Sequence, residues 1–354
     1  MSATLSRVDP VISQRALNRA TLARQLLLRR HAMSPLRAIE HLVGLQAQAP
    51  FAPYFGLWSR LESFEPKELA DLLLGREVVR ITLMRGTVHL VSAADCLAIR
   101  PLIQPMLTRA LTARRLEGLD HEAVVAEGRA LLTERPLSVK AMTPLLAERF
   151  PDADSAAPPV ILRWLLPMVQ VPPRAVWGKA GDAVLTPVEA WLGRDLDPSP
   201  DPQALLARYL AAFGPATIAD MQAWSGLTGL RAAVARMDLA DLGGGLLDLP
   251  DAPRPDEDTP APVRLVAPFD NLVLSHADRT RVISDEHRKR VITINGQVLG
   301  TVLVDGYVRG IWKRTAATVT VTLFGPGPRE EIEAEALALL AFAEPGRKPV
   351  VRFD

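Results

Sequence analysis

Three features of this sequence predict a mainly α chain with β structure gathered toward its C-terminal end. Apolar residues recur from Leu17 onward at helical spacing with charge between them. Two short runs of β character, Val78–Val91 and Val176–Leu185, interrupt the helical material. From Val263 the period changes to two, and Asn295-Gly296 and Asp305-Gly306 stand between β-like runs as two-residue hairpin turns.

Residues 1–15 are polar and are expected to form an arm or a loose first strand. Leu17, Leu22, Leu26 and Leu28 mark a helix running to Arg30. Ser34 reads as an N-cap with Pro35 at the first helical position, opening a helix through Ala38, Ile39, Leu42 and Val43. Pro66–Leu74 is a short helix ended by Gly75, and Arg85-Gly86 turns Val78–Val91 into two short strands. Three helices and a two-stranded wing are the order of a winged-helix unit. Residues 96–134 are mostly helical, with a basic cluster at Arg109, Arg114 and Arg115. Helices through Leu145–Phe150 and at Val160–Val169, split by the breaker-rich Pro151–Pro159, precede the hairpin at Val176–Leu185 with Trp177 and Gly181-Asp182, a second such unit. After the linker Arg194–Pro202 come Ala204–Phe213, a helix capped by Thr217, and a third helix from Arg231 to Met237, a helix-turn-helix rhythm. A proline- and acid-rich stretch at 250–263 leads to the β-like runs Val291–Ile294, Gln297–Val304, Tyr307–Trp312 and Thr318–Phe324 and then to a helix at Arg329–Ala343. The expectation is tandem winged-helix domains at 1–110, 111–195 and 196–255, followed by a small C-terminal antiparallel β-barrel with a hairpin at 256–354.

With 354 residues, 48% hydrophobic and 23% charged, the chain is long enough for two to four globular domains. A net charge of +1 neither demands nor excludes nucleic acid, so any positive face has to be local. The single cysteine, Cys96, leaves no internal disulfide and no multi-cysteine zinc site. No apolar run approaches ~18 residues, so no spanning helix is expected. No basic head with an apolar core opens the chain, so no signal peptide is expected and a cytoplasmic location fits. No glycine-rich phosphate loop appears, and neither cofactor nor metal is expected.

The stretch that carries chemistry is Gly44–Pro50, with two glutamines flanking Ala47. Pro50 biases residue 49 toward an extended conformation, and in an extended segment Gln46 and Gln48 point the same way. Amides are poor acids and bases, but each carries a strong acceptor and two donors. A solvated helix end is the plain alternative; a pair that holds a water and stabilises charge with little proton transfer is the functional one.

Gly44–Pro50 with Tyr54 and Trp58, the segment Leu83–Val91, and the run Pro268–Arg281 resemble the winged-helix DNA glycosylases of the AlkZ/YcaQ kind. The likeness covers nearly the whole chain and is sharpest at 16–58, 80–91 and 268–290. In that family a Gln-apolar-Gln or Gln-apolar-Asp triplet at this place carries catalysis, and the Gln-Gln form here looks like the AlkZ-like branch. The resemblance implies a monofunctional DNA glycosylase acting on double-stranded DNA that carries alkylated purines, and a substrate range of bulky adducts or interstrand crosslinks made by natural-product toxins. Alkylation at a ring nitrogen makes a purine cationic and already a good leaving group. The protein then needs to place a water and to put negative dipole near the oxocarbenium-like sugar. Gln46 is assigned the water and Gln48 the sugar cation, with the converse assignment open. An ordinary base would need a strong acid or base, so N7-alkylguanine or N3-alkyladenine is inferred. The triplet has no lysine, so no Schiff base is expected.

Candidate DNA contacts are Arg85, Thr87 and His89 on the ribbon, His276, Arg279 and Arg281 in the basic run, and Lys313 and Arg314 in a hairpin able to probe a minor groove. The bland readings are a packed histidine, a solvated basic face and a charged sheet edge. Two other functions compete: a non-catalytic winged-helix DNA binder, and a metal hydrolase on His276, Asp278 and Asp270. Ser275-His276 with Asp278 lacks the spacing of a hydrolase triad. A monomer is expected.

Overall fold

The computed structural model describes residues 12–111, 116 and 118–354; most of the expected N-terminal arm, and Arg114 and Arg115 of the basic cluster, lie outside them. From Ser13 on the chain is helical: its hydroxyl caps the helix Gln14–Arg24 by accepting from the Ala16 N–H. That helix stops short of the expected Arg30 because Leu26 sits at φ 58°, outside the right-handed region. Ser34 caps Pro35–His41, and Pro66–Leu74 closes at Gly75, as the sequence indicates.

Six strands, β1 (Leu45–Gln46), β2 (Val78–Thr82), β3 (Val88–Ser92), β4 (Leu137–Ser138), β5 (Met168–Val171) and β6 (Val184–Pro187), form one sheet in the order β1-β3-β2-β5-β6-β4. β2 and β3 are the expected ribbon, joined through a 3-10 turn at Met84–Gly86. The β5–β6 hairpin is wider than the expected Val176–Leu185: β5 lies wholly before it, and β6 shares only Val184 and Leu185 with it. Trp177 lies in the connecting loop because its ring packs among Phe51, Tyr54, Phe55 and Phe342. The preceding helix is Ala157–Leu165, with both of its prolines in the first turn, where no N–H is needed. Pairing of Arg80 with Gln170 and of Ile81 with Val169 merges the ribbon and the hairpin into the single sheet. Helices Pro202–Phe213, Ile218–Ser225 and Arg231–Val234 follow, then a small ribbon of β7 (Ala240–Asp241) and β8 (Leu247–Asp248). Thr217 and Asp220 form a reciprocal capping box on the second of these helices.

The expected C-terminal barrel is instead an open five-stranded sheet. Its order is β13 (Val350–Phe353), β12 (Thr318–Leu323), β11 (Tyr307–Thr315), β10 (Gly300–Val304), β9 (Arg264–Val266). β13 runs parallel to β12, so the connection between them must cross over, and the helix Arg329–Ala343 does so. Ile332, Ala336, Leu339 and Leu340 of that helix join the sheet's core, so a helix covers the face that barrel closure would otherwise have to bury. The β-like run Val291–Ile294 is also corrected. A helix capped by Ser284 occupies Asp285–Val291, with acids in its first turn and bases in its last, and only Ile292 bridges to Val298. Among the described residues no helix is long and apolar enough to cross a membrane.

Two cores meet at the glutamine triplet. Ile39, Tyr54, Phe55 and Trp58 share one with Trp312, Val319 and Leu339, which stacks the early helices on the C-terminal sheet. Val79, Ile81 and Val91 share the other with Ile103, Leu206, Phe213 and Trp224.

Candidate active site

The triplet is placed by a turn that only glycine fits. After the helix Pro35–His41 the chain reverses through Val43 and Gly44, both at positive φ. A Cβ on Gly44 would lie 2.5 Å from Val91 Cγ1 and 3.0 Å from the Leu90 carbonyl. This close approach sets β1 on the sheet edge, with Gln46 opposite His89 and the Ala47 N–H donating to the Val88 carbonyl at 2.7 Å. The buried Arg80 donates to the Ala47 carbonyl at 2.6 Å and to Gln170 Oε1 at 2.7 Å, so both peptide groups of Ala47 are held. Burial pushes the Arg80 guanidinium down to about 10. Gln46 is buried, at 7% exposure, whereas Gln48 lies in a bend and is exposed.

Arg85 organises the Gln46 side. At φ 57° within the 3-10 turn, it donates to Gln46 Oε1 at 2.7 Å, to Asn271 Oδ1 at 3.0 Å and to the Trp224 carbonyl at 2.8 Å. An arginine can only donate, so Arg85 fixes which end of the Gln46 amide is oxygen. Desolvation, with a smaller push from Arg279, brings its own pKa down to about 10. Asn271 donates to the Gly44 carbonyl at 3.3 Å. Beside it Asp270, the carboxylate lining the small cleft in front of Gln46, is committed. Its two oxygens accept from Arg60 at 2.8 and 2.9 Å, and one of them also takes the Leu272 N–H. Behind the triplet the Tyr54 hydroxyl donates to the Ala175 carbonyl and accepts from the Trp177 N–H, and burial raises its pKa.

The other sequence-picked residues divide by exposure. His89 is fully buried; its Nδ1 is 3.0 Å from the Thr87 carbonyl, and its Nε2 has no partner among the described residues. Desolvation and the nearby Arg85 charge push it down to about 3, so it is neutral. Thr87 donates to the Met84 carbonyl. His276 is buried against the Phe213 carbonyl and pushed down to about 3 by desolvation. Arg281 is buried too, bonded to the Pro215 carbonyl and 3.5 Å from Asp220. Arg279 is half-buried and donates to the His276 carbonyl. Arg314 pairs with Glu344 at 2.6 Å, while Lys313 is exposed. The structure therefore brings Arg85 and His89 to Gln46 and places Lys313 and Arg314 on the separate C-terminal sheet. No group of three His, Cys, Asp or Glu side chains able to hold a metal occurs among the described residues. Reasoning from sequence missed Arg80, Arg60 and Asn271. Arg80 carried a signal, a lone charge inside the apolar run Val78-Val79-Arg80-Ile81.

Comparison with known proteins fits this geometry. An interstrand DNA cross-link repair glycosylase from Streptomyces sahachiroi is 25% identical to the chain, covering 93% of it and 96% of the relative. The solved structure of the Streptomyces sahachiroi DNA glycosylase AlkZ matches with a TM-score of 0.81 at 21% identity over 98% of this chain and 100% of that one, and so shares its fold. The family model described as DNA glycosylase AlkZ-like matches residues 39–342, a span that takes in the triplet, the ribbon and the C-terminal sheet up to β12. The chain belongs to the AlkZ-like DNA glycosylases.

Proposed function

We propose that this chain is a monofunctional glycosylase that hydrolyses the N-glycosidic bond of purines made cationic by alkylation, N7-alkylguanine and N3-alkyladenine, in double-stranded DNA. The observation that carries the reading is the buried Gln46 amide, whose cleft holds no free carboxylate among the described residues because Asp270 is bound by Arg60 and by backbone, with Gln48 exposed two residues on. Such a site suits a base already poised to leave. Gln46, oriented by Arg85, holds the attacking water. A guanidinium bonded to its carbonyl oxygen works against a cation there, which favours the exposed Gln48 for the oxocarbenium-like sugar. Because the Streptomyces relative is named for interstrand cross-link repair, bulky adducts and crosslinks belong to the proposed range, in base excision repair or in self-resistance to a toxin. The units 1–110, 111–195 and 196–255 act as winged helices along the duplex, with Lys313 and Arg279 meeting it from the C-terminal side and the buried His89, His276 and Arg281 supporting the surface from behind. The monomer suffices for this arrangement.

The test is base release from a duplex containing N7-methylguanine, by the wild type, Gln46→Ala and Gln48→Ala. Release by the wild type that collapses in the variants is expected. Equal release from all three, or none from any, overturns the reading and leaves a DNA binder.

A further inference from the structure

Arg80 sits on β2, inside the six-stranded sheet, between Val79 and Ile81. Its Cα pairs with Leu90 of β3 on one side and with Gln170 of β5 on the other. The side chain is 1% exposed, and among the described residues no carboxylate pairs with it. Taking a guanidinium out of water without a counter-charge is costly, so arginine is a poor choice here for packing alone. What it supplies is reach and a fork. From β2 the side chain crosses β3 and donates to the Ala47 carbonyl just beyond β1. Its other terminal nitrogen donates to Gln170 Oε1.

The Ala47 carbonyl belongs to the rigid peptide plane that leads into Gln48. The plane before it is held as well, by the Ala47 N–H on the Val88 carbonyl. With both planes fixed, the two backbone dihedrals of Ala47 are set, and so is the point from which the Gln48 side chain departs. Beyond that point the side chain is exposed, and among the described residues no hydrogen bond holds it. Gln46 differs, because Arg85 grips its amide directly.

We propose that Arg80 is a positioning residue for cleavage of the glycosidic bond: it aims Gln48 at the sugar through the Ala47 carbonyl, as Arg85 aims Gln46 through its amide. The proposal rests on the glycosylase reading and names the group that fixes the second glutamine. A dipole stabilises developing charge best when its direction is set beforehand, and a misplacement of about 1 Å costs up to about 10²-fold in rate. Through Gln170 the aim also depends on β5, a strand more than 120 residues along the chain from the triplet.

Single-turnover base release from an N7-methylguanine duplex tests it, with duplex affinity measured alongside, for the wild type, Arg80→Met and Arg80→Lys, and for Arg80→Met combined with Gln48→Ala. Arg80→Met is expected to slow release by about tenfold or more, with less than about twofold change in affinity. Arg80→Lys, which keeps a donor for the carbonyl, is expected to recover part of the loss. In the Gln48→Ala background the same Arg80→Met change is expected to cost less than about twofold, because the group it misaims is already gone. A purely structural role predicts the full loss in both backgrounds, and that result overturns the proposal; so does an unchanged rate in Arg80→Met. Thermal melting identifies a variant that fails to fold. Should Arg80→Met do so, Gln170→Met, which frees the guanidinium on one side, carries the same comparison with Gln48→Ala. Absence of base release by the wild type defeats the glycosylase reading and this proposal with it, whereas release with equal losses in both backgrounds defeats this proposal alone.

Discussion

Gln46 and Gln48 are two residues apart and have opposite surroundings. Gln46 faces a packed polar seam in which Arg85, Asn271, Asp270 and Arg60 are joined by hydrogen bonds that the protein itself satisfies. Gln48 leaves the sheet edge and lies exposed in a bend. Under the chemistry we propose, the contrast separates two requirements. A water must be held at a fixed point, which needs rigidity. A sugar that arrives with lesions of different size needs an unencumbered acceptor.

The comparison breaks most completely if the seam is cut. In Asp270→Ala the Arg60 guanidinium is left buried without a counter-charge, and removing one partner of a buried pair costs about 3–5 kcal/mol. Urea denaturation should show that loss, with Asp270→Asn intermediate. An unchanged midpoint would mean the seam is not what fixes Asn271 and Arg85. The next effect separates the two glutamines. Gln48→Ala should lower kcat by about 10²–10³, the scale of losing one preorganised dipole, with no change in stability. Gln46→Ala should lower kcat and also destabilise by about 1–3 kcal/mol, because Arg85 loses a buried acceptor. If both variants keep wild-type stability, the asymmetry drawn from the structure is wrong.

The sequence shows the free half of this pair more clearly than the anchored half. Caps and turns are local signals, so Ser34, Gly75, Thr217 and Asp305-Gly306 can be read without a structure, and the helix Arg329–Ala343 matches its expected bounds. The glutamines stand out because two amides before a proline are chemically odd. The seam does not, because Arg85 and Asn271 are 186 residues apart and meet only when the C-terminal lobe packs on the ribbon. The same long-range packing turns the apparent strand at Val291–Ile294 into the end of a helix and keeps the last sheet open. Burial is equally silent in sequence: His89 and Arg281 read as DNA contacts by residue type, and only packing shows their side chains enclosed.

That burial predicts a pH dependence. His89 and His276 are held down to about 3 in the fold, against ~6.5 when unfolded. Between those values the unfolded chain binds protons the folded one refuses, so stability is complete above about pH 6.5 and falls as the pH drops toward 3. Each histidine contributes a slope of up to about 1.4 kcal/mol per pH unit. Melting measured from pH 7 to 5, above the carboxylate range, should show the decline, and His89→Asn should roughly halve it, with His276 supplying the rest. A flat wild-type profile would mean His89 is open to solvent and able to reach the duplex.

The smallest effect concerns the C-terminal sheet. Lys313 is exposed on β11, and its neighbour Arg314 is already paired with Glu344. If Lys313 meets a phosphate, Lys313→Ala should weaken binding to lesion-bearing and undamaged duplexes alike and reduce the slope of log K against log salt by about 1. Arg314→Ala should instead act on stability, by about 0–1 kcal/mol because its ion pair is partly exposed, and leave the salt slope unchanged. The pair of variants is informative because the two cations are adjacent in sequence and alternate across the strand. A salt slope that moves with Arg314 and not with Lys313 would turn the DNA-facing side of β11 over and carry the duplex to the opposite face of the C-terminal sheet.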